Sequence, residues 1–409
     1  MKWKRTGITL LFGIVLGGLL AMNMRAPWMY SNDDNGAWFS AIARTHRDAG
    51  LRVTRGQDFF TSRETGELVP YLHHPPLPGL VLAAAFSVTG SDSPFMARLV
   101  FALLHGLTFV IIAGLARQLW DSGRNLLLYA YALAVAAVVP MSTFYGKMPN
   151  HEVPGLLFLI AGVTAWGFRA NPNSSWRVML ALACWMLALF ASWHAAFCIV
   201  AWLLLRWDRE HRLRMTVSLA FILLTAGLAG LHLFWASHWQ GIPSQAESIG
   251  HWSFCGSGAS LAASASALQH AVGIGIGRYA YLPAVLAILW IVFLVKDRVS
   301  GHQPLSVQDR GLLGLCAGSV VYAVVFPHAV GNHAYQGFYL IPFVALASSL
   351  AIKRLCRYGT GRAFGTGRWM PLLLLALTCT LGVGMTLRMY AKVSPGAVKA
   401  AAAITGQYR

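Results

Sequence analysis

Charge is scarce in this chain. Only 11% of its 409 residues are charged, where an ordinary soluble domain carries about 25%. Acids are scarcest, with 14 Asp and Glu against 32 Lys and Arg. A soluble multi-domain protein of this length would need polar faces that are absent here. There is no stripe of basic residues interleaved with stacking aromatics, so the net charge of +18 does not point to nucleic acid. No Cys-x-x-Cys spacing occurs, and five of the six cysteines lie in or beside apolar runs, Cys255 alone falling in a polar loop; no disulfide framework follows. No internal repeat is visible. The Gly273–Gly277 run lacks the preceding strand that a dinucleotide site requires.

What is present is apolar helix. Hydrophobic residues make up 56% of the sequence and the mean hydropathy is +0.56. Runs of roughly 17 to 25 apolar residues read as membrane spans, so residues 1–409 are expected to form a single transmembrane domain, all-α and polytopic. Lys2, Lys4 and Arg5 precede an apolar run that ends without a small-residue cleavage site, which predicts an uncleaved first helix with a cytoplasmic N-terminus. About eleven spans are expected: 6–24, 94–120, 125–141, 152–168, 177–192, 195–207, 215–236, 279–295, 311–327, 335–351 and 370–388. Loops such as Arg206–Arg214 and Lys353–Arg368 then fall on the inner side, where basic residues belong. Leu77–Thr89 is too short for a span and starts among prolines, so it reads as an interfacial or re-entrant helix, like the amphipathic turn Trp38–Arg44. Two long outer loops remain, 25–93 and 237–277, the second with a loose Ala/Ser-rich run from Gly258 to Ala267. No C-terminal soluble domain is expected.

That topology puts most histidines and several other polar residues on one side. Asp33, Asp34, His73, His74, Lys147, His151, Glu152, His194, His251 and His333 all fall on or near the outer face. Ionisable groups at membrane helix ends cost desolvation and usually face a cavity or a partner. Asp33 and Asp34 follow the first span directly. They could cap the next helix, or one could act as a general base towards an attacking hydroxyl or amine. Arg98 could pair with such an acid or anchor its helix at the headgroups. Lys147 and His194 suit a phosphate, although Lys147 could equally be snorkelling.

The order of motifs resembles the GT-C glycosyltransferases, and more closely the group containing protein O-mannosyltransferases and lipid A aminoarabinose transferases. The matching features are the acidic pair after the first span, Trp38–Arg44, and Tyr71-Leu72-His73-His74-Pro75-Pro76-Leu77. Further matches are Gly90 with Ala97-Arg98-Leu99, Tyr145-Gly146 with Glu152, and Asn332-His333-Ala334-Tyr335 before Tyr339-Leu340-Ile341-Pro342-Phe343. The resemblance implies a GT-C-like fold and inverting transfer of a sugar from a polyprenyl-phosphate donor, with a lipid, glycan or protein as acceptor. The site would lie on the extracytoplasmic face of a bacterial inner membrane, among membrane lipids. Asp34 or Asp33 would be the base. Arg98, Glu152 and Tyr71 would orient it, and His74, His194, Lys147 and His333 would hold the donor phosphate. His73 stands where relatives carry an acid or metal-binding residue, so a divalent metal on His73 and His251 stays open. The competing reading is a transporter or flippase of a lipid-linked precursor, for which His105 is the deepest titratable candidate.

Overall fold

A helix that is apolar on every side belongs at the centre of a bundle. In the computed structural model that helix is Leu126–Val138, with every residue from Leu128 to Val138 buried. The structure describes residues 2–30, 32–71, 74–120, 125–168, 174–207, 210–239, 261–301, 304–359 and 369–407. In chain order the helices are α1 (Lys2–Ala21), α2 (Asp34–Ala49), α3 (Leu51–Thr54), α4 (Leu77–Thr89), α5 (Pro94–Leu119), α6 (Leu126–Val138), α7 (Pro140–Thr143), α8 (Glu152–Trp166) and α9 (Ser175–Ala191). There follow α10 (Trp193–Leu205), α11 (Arg212–Trp239), α12 (Leu261–Arg278), α13 (Leu282–Val299), α14 (Val307–Val325), α15 (Pro327–Asn332), α16 (Ile341–Gly359), α17 (Trp369–Tyr390) and α18 (Pro395–Gln407). Around α6 pack α1, α5, α16 and α17.

The helix boundaries have local causes. Ser93 caps α5 by accepting from the Met96 N–H at 3.3 Å, with Pro94 at the first helical position. Ser306 and Asp309 form a reciprocal capping box on α14. Pro140 separates α6 from α7 and the following turn, and the two pieces bend by 50°. Where α10 meets α14, small residues let the backbones touch. A Cβ added to Gly314 would strike the Trp202 backbone, and one added to Gly318 would strike that of Cys198.

Each of the eleven expected segments coincides with a helix. By length and composition, five described helices can cross a membrane, or seven when the two bent pairs are each taken as one span. The chain is thus a membrane protein, and eleven is a count of helices rather than of established spans. Leu77–Thr89 forms a helix of 13 residues, as expected, and packs on α2.

Two expectations fail. Much of the loop expected over 237–277 is helical: Leu261–Arg278 forms α12, where Ala and Leu outweigh the Ser and Gly that suggested looseness. The turn after it bends the chain by 111° at Ala280 and Tyr281, both at positive φ, so the next helix begins at Leu282 and not at 279. The segment after α17, expected as a plain tail, contains α18, which buries Ala397, Ala401 and Ile404 and packs on α2.

The first outer loop also holds a hairpin that no alternation announced. Phe59–Thr61 pairs antiparallel with Leu68–Pro70, Phe59 opposite Pro70. Phe60 packs on Trp38 at 4.6 Å between ring centroids, and Tyr71 on Phe60 at 5.4 Å, which seats the hairpin on α2. Beneath it, His46 Nε2 lies 2.9 Å from the buried Asp58 carboxylate. Burial pushes that carboxyl up to about 6, against the pull of the His46 hydrogen bond and charge.

The helix contact at Gly318 is directly testable. Gly318→Leu drives a side chain into the α10 backbone and is expected to cost about 1–3 kcal/mol of stability, as overpacking does. Gly384→Leu on α17, where an added Cβ meets nothing within 4 Å, is expected to leave thermal unfolding in detergent unchanged.

Candidate functional site

Removing a carboxylate from water is costly unless several donors replace the water. Asp33 has such a set. It is 3% exposed, and its Oδ2 accepts from the backbone N–H of Met29 at 3.0 Å, that of Tyr30 at 3.3 Å, and Arg98 Nη2 at 2.8 Å. It occupies the N-cap position of α2 but makes no side-chain cap bond there, so the capping role is not what holds it. Burial raises its pKa, with Arg98 and the two backbone N–H groups pulling the other way.

Arg98 does more than pair. From α5 it also donates to the carbonyls of Met24 at 3.1 Å, Pro27 at 3.2 Å, and Ala26. Its guanidinium lies over the Trp28 ring at 4.3 Å from the centroid. Gly36 is required beneath that ring, because any Cβ there would enter it. Lys147, expected at the donor phosphate, instead donates to the Met22 carbonyl and sits 4.4 Å from the centroid of Tyr390. The two cations therefore fasten the chain between α1 and α2. Arg98 is the acid's partner and not a headgroup anchor.

Asp34 is left as the accessible acid. It opens α2, is half-buried, and among the described residues no side chain bonds its carboxylate. Burial raises its pKa, its own backbone N–H lowers it and the Asp33 charge raises it further. The neighbouring Asn35 Oδ1 accepts from Tyr335 Oη at 3.5 Å. Asn32 Nδ2 reaches the Asn332 carbonyl, also at 3.5 Å, so the 332–335 segment lies along the start of α2.

Near Asp34 the outer ends of several helices bring together a buried polar cluster. Tyr335 packs against His151 at 5.9 Å and His333 at 5.3 Å between centroids, and His74 stacks on His151 at 3.6 Å. Glu152, at the first position of α8, is completely buried. Its Oε2 is 2.8 Å from His151 Nε2, but the groups are not aligned, and neither Glu152 oxygen has a hydrogen-bond partner among the described residues. On the neighbouring helix His194 lies flat between Tyr322 at 4.1 Å and Tyr339 at 4.2 Å, with both ring nitrogens unpartnered among those residues. Burial, then the Asp58, Glu152 and Asp34 charges, raise the Tyr71 phenol, which places it beside the same acids. So many unsatisfied buried polar atoms are unusual and call for a polar occupant.

The fold around this cluster has solved counterparts. No family model matches the sequence, and no curated protein matches it. The structure is similar to that of ArnT from Cupriavidus metallidurans, a lipid A aminoarabinose transferase, with a TM-score of 0.59 at 15% identity, covering 98% of this chain and 77% of ArnT. It has the GT-C fold. ArnT bound to undecaprenyl phosphate gives a TM-score of 0.58 at 14% identity, over 98% of this chain and 78% of that one. The oligosaccharyltransferase of Archaeoglobus fulgidus, in complex with an inhibitory peptide and a dolichol-phosphate, gives 0.56 at 11% identity over 98% of this chain. The chain spans 56% of that archaeal protein.

On this GT-C frame, the residues expected from sequence divide into two groups. Asp33, Arg98 and Lys147 lock the chain between α1 and α2, while Asp34, Tyr71, His74, Glu152, His194 and His333 lie in or beside the polar cluster. His73 and His251 lie outside the described residues, and among those described no three His, Cys, Asp or Glu groups come together as metal ligands. His105, the deep candidate of the transport reading, is hydrogen-bonded to Ser142 at 2.5 Å and packed on Phe338. Sequence reasoning missed Arg278. At the end of α12, its guanidinium lies 5.6 Å from the centroid of Tyr145, which neighbours Tyr335 at 6.4 Å. Its Nε is buried and unpartnered among the described residues. The only signal was one arginine closing the Gly273–Gly277 run.

The lock predicts a stability defect. Asp33→Ala leaves Arg98 buried without its counter-charge and is expected to cost about 3–5 kcal/mol. Arg98→Lys is expected to fall well short of rescue, since an ammonium cannot reach the carboxylate and three carbonyls together. Thermal unfolding of the purified variants in detergent reads both effects.

Proposed function

We propose that this chain is a glycosyltransferase that moves a sugar from a polyprenyl-phosphate donor to an acceptor hydroxyl or amine at the extracytoplasmic face of the membrane. The observation that carries the reading is the contrast between the two acids: Arg98 and two backbone amides hold Asp33, while Asp34, half-buried and close enough for its charge to act on Tyr71 and Tyr335, has no side-chain partner among the described residues. The fold supports it, since the similar structures include proteins captured with undecaprenyl phosphate and with dolichol-phosphate.

Asp34 would accept the proton of the acceptor as its oxygen or nitrogen attacks the anomeric carbon. The carbon–oxygen bond to the lipid phosphate breaks on the opposite face, the phosphate leaves with the electron pair, and the configuration inverts. Arg278 is the cation best placed to meet the phosphate charge. His333 suits a neutral hydrogen-bonding role, because burial lowers its pKa. Glu152 and Tyr71 would shape the sugar end of the polar cluster, with His74 and His194 lining it. Membrane orientation follows the basic inner loops, with the N-terminus in the cytoplasm of a bacterial cell.

Transfer is assayed in membranes with a labelled polyprenyl-phosphate sugar. Removing a general base costs about 10²–10⁴ in rate, so Asp34→Asn is expected to lose activity on that scale with its thermal unfolding unchanged. A base works deprotonated. The wild-type rate is therefore expected to fall as pH drops through a midpoint above the ordinary aspartate value of 3.8. Wild-type transfer by Asp34→Asn would sink the mechanism. Arg278→Gln is expected to raise the KM for donor more than it lowers kcat.

A further inference from the structure

One helix presents two chemically different faces. The inward face of α5 carries Arg98, Phe101 and His105, all buried. Its outward face carries Phe95, Leu99, Leu103, Gly106, Leu107 and Val110, and these line one wall of a groove of about 1180 Å³. The opposite wall is α1, from Thr9 through Gly13, Ile14 and Gly17 to Ala21, and the mouth is the segment Asn23–Ala26. Ile14 is 72% exposed and Leu103 62%, so the groove opens sideways where a bilayer would lie.

We propose that this groove binds an anionic diacyl phospholipid of the surrounding bilayer, one hydrocarbon chain lying between α1 and α5 and the headgroup phosphate pairing with Arg25. Three observations carry it. The walls are almost wholly apolar and concave, since Gly17 and Gly106 leave open space where side chains would stand; a Cβ at either meets nothing within 4 Å. Arg25 is exposed at the mouth, 5.6 Å from the centroid of Phe95, and no carboxylate among the described residues pairs with it. Finally, the groove is lined by a different face of α5 from the one that buries Arg98, Phe101 and His105 against the rest of the bundle; on the proposed reading, in which the donor phosphate meets Arg278, the donor chain lies elsewhere. The occupant is therefore a separate lipid.

Its place gives it a consequence. Met24 and Ala26 line the mouth, and their carbonyls accept from Arg98, which holds Asp33. A lipid seated in the groove braces the segment on which the lock between α1 and α2 depends.

The test uses the purified full chain in detergent, titrated with dioleoyl phosphatidylglycerol, dioleoyl phosphatidylcholine or undecaprenyl phosphate. Native mass spectrometry reads retained lipid, and thermal unfolding reads the shift. Phosphatidylglycerol is expected to be retained and to raise the unfolding temperature, with phosphatidylcholine several-fold weaker. Gly17→Leu and Gly106→Leu fill the groove and are expected to abolish both effects. Arg25→Gln is expected to keep chain binding but lose the preference for phosphatidylglycerol, which decides the matter even if a leucine variant fails to fold. Undiminished retention in the leucine variants would overturn the proposal. An anion preference unchanged in Arg25→Gln would do so too, as would retention of undecaprenyl phosphate alone.

Discussion

The buried pair Asp33–Arg98 is the constraint on which the outer half of the molecule depends. A lone carboxylate at 3% exposure would protonate or pull its segment into water. Arg98 prevents this from α5, and the geometry of guanidinium lets it do more than an ammonium could. Its fork reaches three carbonyls of the 24–27 stretch as well as the acid. The path of the chain from α1 to α2 is thereby fixed at four points, and Trp28 is clamped between Arg98 and Gly36. Asp34 owes its position to this arrangement. As the next residue, it begins α2 on a backbone that cannot shift independently of α5, the support that the proposed role as a base would need.

The location of the polar cluster follows from the economy of polar groups in an apolar bundle. Through the middle of the structure the helices satisfy their own backbone groups, and buried hydroxyls pair off, Thr143 with Thr386 and Thr378 with Tyr131. Near the starts of α8 and α10, Glu152, His151 and His194 leave buried donors and acceptors without partners among the described residues. The proximity of Asn35 to Tyr335, 300 positions away, shows how such ends are collected. The α2–α4 layer and the hairpin cover them from outside.

Much of this was legible in the sequence, and the reasons are physical. Apolar runs gave the helices because only a helix hides its backbone in lipid, and Leu77–Thr89 was separated from the rest by its length and its prolines. The acidic pair was legible as a pair. Its division of labour was not, because whether Asp33 or Asp34 meets Arg98 depends on a turn at Met29–Tyr30 that has no composition signature. Lys147 was misjudged for a related reason: a basic residue at a helix end looks the same whether it faces a phosphate or a backbone carbonyl. The helix α12 was hidden by serines and glycines that suit a loop equally well, and with it went Arg278. The hairpin over 59–70 is three residues per strand, too short for alternation to register.

These placements change what a phosphate in the cluster would meet. A histidine answers a phosphate strongly only when protonated, and protonation is disfavoured in proportion to burial. His74, His194 and His333 were attractive from sequence because they could carry charge. In the structure, His194 is sealed between two tyrosine rings and His333 is held towards its neutral form. Lys147 is turned to a carbonyl. A permanent charge near Tyr145 and Tyr335 is supplied by Arg278, whose guanidinium keeps its proton whatever the burial. Under the proposed function, such a cluster would meet the lipid phosphate through one fixed cation and a ring of neutral donors. It would release a singly esterified phosphate more readily than a cluster of lysines would, which suits a leaving group that must depart after each transfer.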